Sequence, residues 1–169
     1  MKKSLLVLLV ASSVSASVMA ADGTITFNGE ITDTTCNVTT ASKNLTVDLP
    51  TVSTTALAAA GDTAGNTSFT LDLQNCSANG VNVAANFESL TNGDATNGNI
   101  NPTQAPAGVQ IRLADAAGTQ AKVNGLPVGA KQITNGSAQL EYQAFYFAKT
   151  PVTNAGQVVA QVNYTLFYP

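Results

Sequence analysis

An all-β sandwich of immunoglobulin-like type is the fold class this sequence predicts, and three observations predict it. About seven short runs of alternating apolar and polar residues recur along the chain. Gly, Asn, Asp and Pro punctuate them, in loops such as "NGDATNGNINPTQAPAG". Helical periodicity is almost absent: "STTALAAAGD" (53–62) has room for one short turn at most. Short strands at such spacing, each with one apolar face, suit two packed antiparallel sheets. The Cys…Trp…Cys mark of true immunoglobulin domains is missing, since the chain has no tryptophan.

Taken in order, the chain opens on "MKKSLLVLLVASSVSASVMA". Lys2 and Lys3, a short apolar stretch and a small-residue end at Ala20 are the layout of a secretory signal peptide over residues 1–20. The apolar run is far below the roughly 18–20 residues that a membrane span needs, so direct membrane insertion is not expected. The strands predicted after it are 23–31, 44–50, 67–76, 80–87, 108–115, 138–149 and 156–168. In the third of these, Phe69, Leu71 and Leu73 share a face opposite Thr70, Asp72 and Gln74, which suits a strand with one side on a core.

Composition narrows function by exclusion. The exported chain from Ala21 carries five basic residues against ten acidic ones, with a single arginine, Arg112. That balance disfavours nucleic acid and acidic membrane surfaces as partners. Cys36 and Cys76, an even pair in an exported chain, most simply form one disulfide. It would close a loop worth about 4 kcal/mol in the chain-entropy account. A redox or metal pair lacks both the CxxC spacing and a histidine.

No catalytic, cofactor-binding or metal site is legible. The chain has no histidine, the commonest general base and metal ligand, and no motif frames Lys43, Lys122, Lys131 or Lys149. The carboxylates Asp33, Asp48, Asp62, Asp72, Glu88, Asp94, Asp115 and Glu141 stand singly, and each reads as a solvated surface charge. "NGDATNGN" (92–99) has alternating oxygens but not the acidic end of a calcium loop. Arg112 reads as a surface ion pair or a solvated rim residue. Six Asn-x-Ser/Thr sequons are set down to an Asn- and Thr-rich composition. The expectation is a non-enzymatic protein that works through its surface or its assembly.

Two strands do not fit inside one domain. In "GTITFNGEI", Gly23, Ile25, Phe27, Gly29 and Ile31 share one face. The parity switches before Cys36 and Val38, which leaves 21–30 as a semi-detached strand ahead of a domain over 31–169. Gly29 inside an apolar face loses packing and is tolerated where another group fills the space above it. At the other end, Val158, Ala160, Val162, Tyr164, Leu166 and Tyr168 alternate, and only Pro169 follows. An unpaired edge and a free strand on one molecule are complementary, and such a heterologous contact between copies does not close, so it builds a filament.

These residues resemble the pilins of the chaperone–usher pathway, the subunits of type 1 and related fimbriae. The matching marks are "GTITFNGEITDTTC" behind a signal peptide, a second cysteine 40 residues on, Gly156 fourteenth from the end and the penultimate aromatic Tyr168. The resemblance implies an incomplete immunoglobulin-like sandwich lacking its last strand, completed by a donor strand from the neighbouring subunit. It implies Gly23, Ile25, Phe27, Gly29 and Ile31 as the donor strand. Gly156, Val158, Ala160, Val162, Tyr164, Leu166 and Tyr168 would be the groove-edge strand, on which a chaperone sits first. Cys36 and Cys76 match the family disulfide. The implied partners are identical or related pilin subunits, a periplasmic chaperone and an outer-membrane usher, with the fimbrium at the cell surface as destination. Pro169 departs from the polar last residue common there, yet leaves the carboxylate available. A major structural subunit is the expected role; a minor tip or adaptor pilin and a secreted binding module are the alternatives.

Overall fold

Residues 138–148 alternate so strictly that their place follows from the pattern. Ala138, Leu140, Tyr142 and Ala144 are buried, while Gln139 and Glu141 face water. In the computed structural model, which describes Thr26, Asn28, Gly29, Ile31 and residues 33–169, this run is the centre of the larger sheet. The strands among the described residues are β1 (Asn37–Val38), β2 (Thr63–Gln74), β3 (Asn82–Glu88), β4 (Val109–Asp115), β5 (Lys131–Gln132), β6 (Ala138–Ala148) and β7 (Asn163–Phe167). One helical turn, α1 (Thr40–Lys43), and one 3-10 turn (Thr54–Leu57) complete the elements. The order β1-β2-β6-β4 makes the first sheet and β5-β3-β7 the second, with every pairing antiparallel.

The register sets the core. Leu71 pairs with Leu140, Phe69 with Tyr142 and Leu113 with Ala144, so large and small side chains face the second sheet together. Tyr142 ties the two layers. Its hydroxyl accepts from Ala85 N–H of β3 and donates to the Val128 carbonyl, both at 3.0 Å. Its ring meets Phe87 edge-on, centroids 4.9 Å apart, an arrangement the aromatic quadrupoles favour. Burial raises the Tyr142 phenol above its ordinary pKa.

The Cys36–Cys76 disulfide is formed. It joins the approach to β1 to the segment after β2, two neighbouring strands of one sheet, rather than the two layers. At the far end of β2 the ladder shifts between Ala64 and Thr67. Gly65 sits there at φ +70, where a Cβ would stand 3.0 Å from the Tyr146 ring. Only glycine meets both demands without strain.

Several boundaries differ from those expected. The strand predicted at 44–50 forms no ladder; Asn44–Leu49 instead border an opening. The one predicted at 156–168 has regular pairing only over Asn163–Phe167, preceded by a single bridge between Val159 and Gln104. β2 begins at Thr63, four residues early, carried by the Gly65 bulge. Lys131–Gln132 and Thr40–Lys43 were not anticipated, being too short to leave a periodic signal. The strand expected at 23–31 lies largely outside the described residues; Gly29 and Ile31 are exposed and in no ladder.

Candidate functional site: an open groove between the sheets

β7 lies at the edge of its sheet, paired on one side with β3. From Gln157 to Pro169 the burial alternates without a fault. Val158, Ala160, Val162, Tyr164, Leu166 and Tyr168 are half-buried, and each odd position is exposed. A strand with a neighbour on each side would bury that even face fully. Here it stays half-covered because a groove of about 1080 Å³ runs beside it.

One rim of the groove is formed by Val158–Tyr164; the other by Asn44–Leu49, with Ser42 and Lys43 leading in. Between them the floor reaches the hydrophobic core: Phe69 and Leu71 from β2, Phe87 from β3, Ile111 and Leu113 from β4, Ala144 and Tyr146 from β6. Floor residues come from both sheets, so the opening is the gap that a further strand would fill. Gly156, which ends the alternating run, is exposed, and a Cβ there would touch Pro106 at 3.3 Å.

Two tyrosines close the end of the groove nearest the disulfide. The Tyr164 hydroxyl donates to the Ser42 carbonyl at 2.9 Å, and the Tyr168 hydroxyl accepts the Cys36 N–H at 2.8 Å. Both reach from β7 across to the opposite sheet's first segment. Desolvation raises the Tyr164 phenol pKa, so it stays a neutral donor. Ser42 is itself buried and takes the Asp72 N–H on its hydroxyl at 2.9 Å, which anchors the rim to β2.

The opposite edge carries polar chemistry that the sequence reading misjudged. Asp94 is buried rather than solvated. Its carboxylate accepts from Lys149 Nζ at 2.6 Å, Gln110 Nε2 at 2.7 Å and the Thr96 N–H at 2.9 Å. Lys149 first, then Thr96, holds the Asp94 carboxyl well below the usual carboxylate range. The fully buried Asn99 and Gln110 extend the network: Gln110 Oε1 accepts from Asn97 at 2.8 Å and Asn99 at 3.1 Å. Arg112, half-buried, makes no ion pair among the described residues. Its Nε donates to Asn99 Oδ1 at 3.1 Å, and the guanidinium lies 3.9 Å from the Phe147 ring centroid. The signal available was Gln110, a polar residue inside the apolar run "VQIRL", opposite a loop dense in Asn and Asp. Among the described residues no cluster of His, Cys, Asp and Glu suits a metal ion.

Of the residues expected to form a donor strand, Ile31 is fully exposed and Gly29 has open space around it; Gly23, Ile25 and Phe27 lie outside the described residues. What the sequence could not supply was the second rim at 44–49 and the floor, gathered from four strands far apart in the chain.

A family model described as "Fimbrial protein" matches residues 25–169. The chain is 43% identical to the F17 fimbrial protein of Escherichia coli over 171 residues, spanning 95% of this chain and 94% of that protein. It is 40% identical to the major fimbrial subunit SMF-1 of Stenotrophomonas maltophilia, spanning 88% and 94%. Among solved structures, the P pilus rod subunit PapA superposes with a TM-score of 0.66 at 19% identity, over 79% of this chain and 99% of that one. A subunit of a chaperone–usher pilus gives 0.65 at 21%, over 92% and 100%. The sandwich with a strand-wide gap is thus the incomplete immunoglobulin-like fold of pilins, and the chain belongs to the fimbrial protein family.

Proposed function

We propose that this chain is a structural subunit of a surface fimbria, polymerised head to tail when the segment 23–31 of one copy enters the groove of the next. The observation that carries this reading is the groove itself: an apolar floor open to solvent beside an edge strand whose inward face is only half covered. The stretch from Ile25 to Ile31 is seven residues long, as is Val158–Tyr164 along the groove. Its alternate side chains Ile25, Phe27 and Ile31 would leave water, each contributing roughly 1.5–3 kcal/mol. Gly29 would stand where the least room is left. The inserted strand would hydrogen-bond to β7 on one side and to the 44–49 rim on the other, removing both open edges together.

Before assembly the same groove needs a temporary occupant. A periplasmic chaperone strand beside Val158–Tyr168 fills that place in this reading, and an outer-membrane usher is where one strand replaces the other. Residues 1–20 direct export, and the assembled fimbrium lies at the cell surface. Dissociation then requires withdrawing a whole strand at once, which makes the joint kinetically stable.

Deleting Ala21–Gly29 tests the reading. The shortened subunit should reach the periplasm and accept another subunit's strand, yet donate none, so sheared surface preparations lose long fibres. Fibres of normal length from the deletion variant would sink the proposal.

A further inference from the structure

The chain carries six Asn-Gly dipeptides, at 28–29, 79–80, 92–93, 97–98, 124–125 and 135–136. In this pair the glycine nitrogen can reach the asparagine Cγ, because no Cβ obstructs the approach. The N–Cγ bond forms, the side-chain nitrogen leaves as ammonia, and a five-membered imide results. Water then opens the ring at either carbonyl, to aspartate or to isoaspartate. The step needs an unengaged glycine N–H and a backbone free to turn.

Four of the six glycine N–H groups are engaged, and at a fifth pair the backbone is pinned on both sides. Gly80 N–H donates to the Ile133 carbonyl at 2.9 Å, Gly98 to Asp94 at 2.7 Å and Gly125 to Lys122 at 3.1 Å. Gly136 N–H donates to Asn79 Oδ1 at 2.8 Å. The Asn92 carbonyl is held by the Asn101 N–H at 2.7 Å, and Gly93 bridges to Ile100. Asn28–Gly29 differs: both residues are exposed and outside any helix or strand, and nothing lies within 4 Å of a Cβ built at Gly29. No hydrogen bond engages the Gly29 N–H among the described residues.

We propose that Asn28–Gly29 is a site of spontaneous succinimide formation that retires subunits left unassembled. The inference rests on the donor-strand reading for its consequence. An isoaspartate at 28 passes the main chain through the side-chain Cβ, adding one atom to the backbone. Phe27 and Ile31, four residues apart on either side of the change, then no longer share a face, so both cannot enter one groove. Within a fibre the Gly29 peptide would be held in a ladder with a strand on each side, and the reaction would stop.

The test ages the unassembled exported chain in mildly alkaline buffer. The acid and isoaspartate content of each Asn-Gly peptide is read by mass spectrometry and by isoaspartate methyltransferase labelling. Asn28 is expected to convert on the order of tenfold faster than the other five, whose backbones are each pinned by hydrogen bonds that must loosen before the ring can close; conversion at their rate overturns the site. In assembled fibres Asn28 should convert no faster than the rest. Fast conversion there, with fast conversion in the free chain, keeps the site but removes residues 23–31 from the groove. Finally, Asn28→Gln should keep its fibre-forming capacity through ageing that abolishes it in the unaltered chain; equal loss in both overturns the retiring role.

Discussion

β4 and β7 are both edge strands, and the molecule treats them in opposite ways. The outer side of β4 is sealed. Ile111 exchanges two main-chain bonds with Ile100, the Leu113 carbonyl takes the Ala121 N–H, and Asp115 N–H reaches Thr119. Behind that seam the Asp94–Gln110–Asn99 network fixes the covering loop in place. The outer side of 158–164, the run that leads into β7, instead faces a groove floored with core side chains. An unpaired edge beside apolar residues invites pairing with another chain. One edge is closed by main-chain bonds to its covering loop, and the other is open. In the reading proposed above, which edge carries the loop separates uncontrolled association from directed polymerisation.

The sharpest way to break this contrast is to spoil the open edge alone. Val162 lies on the half-buried face of the groove-edge strand and lines the groove. Val162→Lys should abolish fibres, counted by electron microscopy, because an inserted strand would bury an unpaired ammonium. The isolated fold should lose only about 1 kcal/mol, since a lysine here can extend its charged end to solvent. Fibres formed at the normal rate would mean that the groove is not the joint.

The sealed edge answers in the other currency, stability. Gln110→Ala removes the hub that donates to Asp94 and Asn101 and accepts from Asn97 and Asn99. Buried polar groups then lose their partners, at a cost of about 3–4 kcal/mol, read as the urea midpoint of unfolding. Gln110 itself does not line the groove, although its neighbour Ile111 does, so the folded fraction should still accept a donor strand.

Acid sharpens the same point through Asp94. Its carboxyl is held below its ordinary value in the fold, so the associated stability is present above the unfolded carboxyl pKa of about 3.9. It is lost as pH falls through the depressed folded value. Lys149 is the first cause of that depression. Lys149→Met should therefore move the acid-unfolding midpoint to higher pH, while leaving stability at neutral pH less affected than Gln110→Ala does. An unchanged acid midpoint would show that Thr96 and Gln110 suffice without the ammonium.

The two edges also differ in how legible they were. The even positions from Val158 to Tyr168 could be read off the alternation, because a strand's period is fixed at two and half-burial leaves its mark on residue choice. The groove beside them could not, since Phe69, Phe87, Leu113 and Tyr146 meet only after four strands have paired. The polar seam hid for another reason: Asp94 and Lys149 are 55 residues apart, and a carboxylate that is buried and paired looks, in sequence, like one in water. Disulfide and fold class needed no such long-range knowledge, only cysteine parity, export and strand spacing.

The finest distinction concerns where the open edge ends. Leu166 and Tyr168 continue the alternation past Tyr164, yet the groove lining stops at Tyr164, where the tyrosine hydroxyls cross to the opposite segment. Tyr168→Phe keeps the ring and removes only the acceptor for the Cys36 N–H. Cys36 is half-buried, so its N–H regains water in part and the loss should be about 1 kcal/mol in unfolding. Tyr164→Phe should cost less, because the Ser42 carbonyl it leaves keeps a second lone pair and lies at the rim. If the crossing bonds set the length of the groove, Tyr168→Phe opens that end and quickens uptake of a donor peptide covering residues 21–31. The expected pairing is therefore a less stable subunit that takes up the strand faster. A loss of stability with slower uptake would make Tyr168 a support of the groove rather than its stop.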